Sequence, residues 1–137
     1  MVKRLMTGAA MAAALTGCGI AELAPVERIM VDAGEGQSAV AGALLDDPIV
    51  ARTFREDGTT AAWLLHVQLL DGGAIDLGEA QAAGVGATVQ SPDRDVTTVR
   101  WTLGDTPGEQ RLRFFAVPSR GDTIEAIVTA QALTPQR

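Results

Sequence analysis

The sequence predicts an all-β protein, a sandwich of about seven short strands, on three observations. The apolar runs after Val26 are brief and are broken by Gly, Pro and Asp. The clearest of them alternate apolar with polar residues, and none sustains a helical period. The 137-residue chain is 47% hydrophobic and 20% charged, the composition of a globular protein with length for one domain and hardly for two.

The first strand covers Arg28 to Asp32. A Gly-rich stretch, Gly34 to Gly42, crosses to Leu44-Leu45-Asp46-Asp47-Pro48. Pro48 lacks an N–H and so suits the entry to a strand, Ile49 to Phe54. Asp57-Gly58 is a turn signal, because both residues tolerate positive φ. The strand Ala62 to Leu70 sets Trp63, Leu65, Val67 and Leu69 on its core face and Leu64, His66, Gln68 and Leu70 on the other, and Asp71-Gly72-Gly73 ends it. Ala74 to Gly86 is rich in Ala and Gly and leaves three readings open: a loop, a poor edge strand, or one helical turn around Leu77 to Ala82. Ala87 to Gln90 is a short strand stopped by Ser91-Pro92-Asp93. Val96 to Leu103 alternates cleanly, with Val99, Trp101 and Leu103 against Thr98, Arg100 and Thr102. Beyond the turn at Gly104 to Gly108, Leu112, Phe114 and Ala116 alternate with Arg111, Arg113 and Phe115 in a strand from Gln110 to Val117. Pro118 to Gly121 is the hairpin into the last strand, Thr123 to Ala132. This spacing matches an immunoglobulin-like sandwich. With a single Cys no disulfide closes within the chain, so the core rests on aliphatic burial.

The N-terminus reads as a targeting segment. Lys3 and Arg4 precede an uncharged run from Leu5 to Leu15, the layout of a secretory signal, and the run is too short to span a bilayer. Leu15-Thr16-Gly17-Cys18 then resembles the bacterial lipobox in all four positions, which implies cleavage before Cys18 and lipid attachment to it. Residues 1–17 are the signal peptide, 18–25 a lipidated tether, 26–132 the domain and 133–137 a tail. Loss of the signal removes two cations and no acid, leaving nine arginines against 17 acids. At roughly 3.3 Å per residue the tether holds the domain within about 25 Å of the lipid surface. Gly19 stands where Asp favours inner-membrane retention in enteric bacteria, so the expected address is the cell envelope, at the outer membrane.

Three strings resemble the bacterial Ig-like domain of the invasin and intimin group. The first runs from Gly36-Gln37 through Gly42, Leu44 and Leu45 to Pro48-Ile49-Val50; the second is Leu65-His66-Val67-Gln68-Leu69 ending in Gly72-Gly73. The third and most distinctive is Trp101-Thr102-Leu103-Gly104 followed by Gly108-Glu109-Gln110. Asp57-Gly58-Thr59-Thr60 replaces the family's Gly-Asn-x-Pro turn. The resemblance implies a sandwich over 26–132 with a structural or adhesion-like, protein-binding role, and the matching residues are structural, so no catalytic set is carried over.

Charge and composition exclude other classes. The net charge of −6 argues against a nucleic acid partner. His66, the only histidine, lacks the sequence context of a metal site or a Ser/His/Asp triad and is expected to be a solvated strand residue. Asp46-Asp47 and Asp93 with Asp95 could offer oxygen to calcium but lack the grammar of an EF-hand, so no metal and no cofactor is expected. Arg100, Arg111, Arg113 and Phe115 are placed on outward faces of strands taken as possible neighbours. They form a candidate patch for an envelope protein, a polysaccharide or anionic headgroups, with pairing to acidic residues as the competing use of the arginines. The expected protein is therefore not an enzyme; a carbohydrate-binding module or a small envelope inhibitor is the alternative.

Overall fold

The computed structural model describes residues 26–55, 57–60, 64–91, 94–117 and 122–136. Within them the alternating runs become ten strands and no helix: β1 (Val26–Ala33), β2 (Ser38–Val40), β3 (Ile49–Arg55), β4 (His66–Leu69), β5 (Ala74–Asp76), β6 (Gln81–Ala83), β7 (Thr88–Gln90), β8 (Val96–Thr102), β9 (Gly108–Ala116) and β10 (Ile124–Leu133). They form two five-stranded sheets, ordered β1-β3-β8-β5-β6 and β2-β10-β9-β4-β7. All pairings are antiparallel except β2 with β10, in which Ser38, Ala39 and Val40 lie beside Gln131, Ala132 and Leu133. The signal segment, Cys18, Ala62, Trp63, Asp93 and the Pro118 to Gly121 hairpin lie outside the described residues.

The expected count of about seven strands is too low, because β2, β5 and β6 have three residues each and show too little alternation to be seen. Of the three readings left open for residues 74–86, the strand is realised. β5 and β6 pair around a turn in which the Leu77 N–H donates to the Ala80 carbonyl, so the region is a hairpin and contains no helical turn.

The core lies between the sheets. Val99, Trp101 and Leu103 point into it from the β8 run, Leu112, Phe114 and Ala116 from β9, and Leu65, Val67 and Leu69 from the β4 run; all are buried. Each fully buried aliphatic or aromatic side chain contributes about 1.5–3 kcal/mol, and these strands supply most of the large ones. The Trp101 indole N–H has no hydrogen-bond partner among the described residues, so its contribution comes from packing.

Two buried or half-buried glutamines explain two of the strings. Gln110 is 2% exposed; its Oε1 accepts from the Gly104 N–H (2.7 Å), and its Nε2 donates to the carbonyls of Gly104 (3.0 Å) and Thr106 (2.8 Å). The turn between β8 and β9 is thereby tied to the strand that follows it. Gln37 does the same between two loops, donating to the carbonyls of Gly34 and Asp47 and accepting from the Asp47 N–H. The second residue of the double glycine has a steric reason. A Cβ on Gly73 would stand 2.2 Å from the Thr102 carbonyl oxygen and 2.9 Å from the Gly104 nitrogen, so the turn after β4 packs directly on the backbone of the third string.

Candidate interaction face

The outward side chains of the second sheet make a connected polar and aromatic cluster. Register fixes its rows. Across β10, β9, β4 and β7, Glu125 faces Phe115, Phe115 faces His66, and His66 faces Gln90; one row on, Ile127 faces Arg113, Arg113 faces Gln68, and Gln68 faces Thr88. Because Phe114 and Val67 are committed to the core, alternation sends Phe115, Arg113, His66 and Gln68 outward.

The rings of His66 and Phe115 stack with centroids 4.7 Å apart and planes 13° from parallel. The Arg113 guanidinium lies 4.2 Å from the Phe115 centroid, forms an ion pair with Glu125 and donates to Gln68 Oε1 at 3.3 Å. Arg111 is held at the next outward position of β9. Its backbone N–H donates to Asp71 Oδ2 (2.8 Å), and its guanidinium grips both carboxylate oxygens (3.0 and 3.2 Å). These bonds from Arg111 hold the Asp71 carboxyl below its ordinary value of 3.8, and the arginine is raised in turn.

The linkage sign follows from a depressed carboxyl. The pair gives its full stabilisation well above 3.8 and loses it as the pH falls below that value and through the lowered folded value. The groups are substantially exposed, so the contribution is at most about 1 kcal/mol. Asp71→Asn is expected to lower stability by about that much at neutral pH, and the gap to the unsubstituted protein should close in acid. Urea unfolding from about pH 7 to about pH 3 measures it; a gap constant across that range would remove the pair from the account.

The four residues expected to form one patch divide between the sheets. Arg111, Arg113 and Phe115 share the outer face of β9, whereas Arg100 lies on β8, in the other sheet. The strands are consecutive in the chain but cross between sheets at Gly104, so the proximity expected of them does not arise. Arg111 and Arg113 are also ion-paired, which leaves this face little free positive charge for an anionic ligand. What it presents is an ordered aromatic and guanidinium stack flanked by exposed Ile127, Leu64 and Val117. Continuing the β4–β9 register sets Leu64 opposite Val117, at the same end of the face as the His66–Phe115 pair.

Sequence reasoning missed His66 as a member of this face. It points outward as expected, but its ring is half-buried against Phe115. The signal is the pairing of His66 with Phe115, which no local pattern reveals. Among the described residues no three of His, Cys, Asp and Glu come together in a way that could hold a metal.

No model of a known protein family matches the chain, and no curated protein sequence matches it either. Among solved structures, a conjugative transposon lipoprotein from Bacteroides eggerthii DSM 20697 is similar, with a TM-score of 0.52 and 12% identity over 75% of this chain and 94% of that one. At that identity the likeness concerns the β fold.

Proposed function

We propose that this is a lipid-anchored protein of the bacterial cell envelope, non-enzymatic, whose single Ig-like sandwich makes protein contacts through the outer face of β9, β4 and β10. The observation that carries the proposal is the complete lipobox, Leu15-Thr16-Gly17-Cys18, ending an uncharged run that follows Lys3-Arg4. Strand order supports the Ig-like reading. In a constant-type immunoglobulin sandwich one sheet orders its strands first, second, fifth, fourth and the other third, sixth, seventh. Setting aside the short β2, β6 and β7, the order here is the same: β1-β3-β8-β5 in one sheet and β4-β9-β10 in the other. The lipoprotein with a similar fold is compatible with an envelope role.

The character of the face favours protein over anionic lipid or polysaccharide as the partner. An ion-paired guanidinium stacked on an aromatic ring, next to exposed aliphatic side chains, is the composition of a protein contact surface. Gly19 directs the anchor to the outer membrane.

Cys18→Ala is expected to abolish incorporation of labelled palmitate and to release the protein from the membrane fraction. Persistence of both label and membrane association in the variant would dismiss the anchor. Density fractionation of the unsubstituted protein separates outer from inner membrane, and recovery at inner-membrane density would overturn the address.

A further inference from the structure

The other sheet carries a second feature. On the outer surface of β8, β5 and β6 lies an open groove of about 560 Å³, within the range of small-ligand sites. Two rows of outward side chains form its floor. In one, Leu44, Thr102, Ala74 and Ala83 lie side by side, joined by the Leu44–Thr102 bridge and the ladders of β5 with β8 and β6. In the other, Arg100, Asp76 and Gln81 lie side by side on the same three strands. Ile75, Trp101 and Ala82, which alternate with these residues, pack into the core.

Arg100 is distinct among the described arginines. Arg52, Arg94, Arg111 and Arg113 are ion-paired, Arg55 donates to the Thr60 carbonyl, and Arg28 lies over the Phe54 ring. Arg100 has no ion pair, hydrogen bond or ring contact among the described residues, although Asp76 is its cross-strand neighbour. One oxygen of Asp76 is engaged by the Gly78 N–H at 2.7 Å, inside the β5–β6 turn. In a chain of net charge −6, an exposed guanidinium with no ion pair or hydrogen bond among the described residues sits in a concave surface.

The geometry points to a saccharide site, and specifically one for a short oligosaccharide carrying carboxylates. A guanidinium fork binds a carboxylate or two adjacent hydroxyls in a bidentate manner, and beside it Asp76 offers acceptors while Gln81 offers both donors and an acceptor. These groups stand about 4.8 Å apart, one per strand, so a ligand lying across the strands meets them in turn. The parallel row of methyl groups and the Leu44 side chain take the C–H faces of the rings. The unused ion-pairing capacity of Arg100 favours an acidic sugar over a neutral one. An extended peptide fits less well, because strand addition uses a free sheet edge, whereas Arg100 and Asp76 stand on β8 and β5, which have a neighbouring strand on both sides.

The test is an NMR titration of the full-length, isotope-labelled protein in detergent, with trigalacturonic acid, its neutral counterpart galactotriose and an alternating Glu-Ala peptide as probes. Trigalacturonic acid is expected to give saturable shifts at the amides of Ala74, Ala83 and Thr102, with galactotriose about tenfold weaker. Arg100→Gln should weaken trigalacturonic acid binding by about tenfold, the loss of one charge-assisted contact. Arg94→Gln, which removes an exposed cation outside the groove, should leave binding unchanged. Both positions are exposed, and an unchanged amide spectrum of each free variant shows that it folds. The assignment is overturned by the absence of saturable shifts with trigalacturonic acid, by equal affinity in Arg100→Gln, or by tighter binding of the peptide at the same amides.

Discussion

Replacement of Gly73 by Ala is expected to destabilise the domain by about 3 kcal/mol or more, a large share of the stability of a domain this size. Two costs add. The residue has φ of 95°, where an L side chain is strained by about 1–2 kcal/mol. The added Cβ would also stand 2.2 Å from the Thr102 carbonyl oxygen, and that oxygen belongs to backbone rather than to a side chain that can swing away. Gly78 separates the two terms: its φ is 94°, yet a Cβ there meets nothing within 4 Å, so Gly78→Ala should cost only about 1–2 kcal/mol. Urea unfolding of both variants measures the difference. Equal losses would mean that the packing of the Gly72-Gly73 turn on Gly104 does not constrain the domain.

Gln110→Ala should also destabilise the domain, by a different route. The side chain accepts from the N–H of buried Gly104 and donates to the carbonyls of Gly104 and Thr106; the Gly104 carbonyl keeps the Gly42 N–H as a donor and Thr106 is exposed, so the Gly104 N–H is the group the substitution leaves unpaired. A buried backbone group left unpaired costs about 1–3 kcal/mol, and the expected loss is of that size. Gln110→Glu is the informative companion, because the carboxylate can still accept from Gly104 but cannot donate to the two carbonyls and is charged in a buried place. It should be no more stable than the Ala variant at neutral pH and should recover in acid as the carboxyl protonates. Thermal unfolding at two pH values reads this directly; an Ala variant within about 0.5 kcal/mol of the unsubstituted protein would show that the turn holds without its tie.

Much of the architecture was legible because β8 and β9 alternate without interruption. Period alone puts Val99, Trp101, Leu103, Leu112, Phe114 and Ala116 on one side of their strands, and all are buried. The three-residue strands were not legible, since Ala-rich segments such as Gln81-Ala82-Ala83 carry no contrast between faces. Site residues divide along the same line. That Arg111, Arg113 and Phe115 face outward follows from β9 itself. That Arg100 lies in another sheet and that His66 meets Phe115 depend on strand pairings distant in sequence, which are set by the packing of the whole domain. The glutamines Gln37 and Gln110 could be singled out only through the family resemblance, because a buried polar residue breaks the pattern by which the core is read.

The parallel pairing of β2 with β10 has a consequence for how the protein is made. Ser38 meets Gln131, so this seam joins the beginning of the domain to its last strand and cannot close until nearly all of the chain is available. Sandwiches dominated by such distant pairings fold in roughly milliseconds to seconds, well behind helical proteins of equal length. A nascent chain with this wiring cannot close the β2–β10 seam until Gln131 to Leu133 have been made.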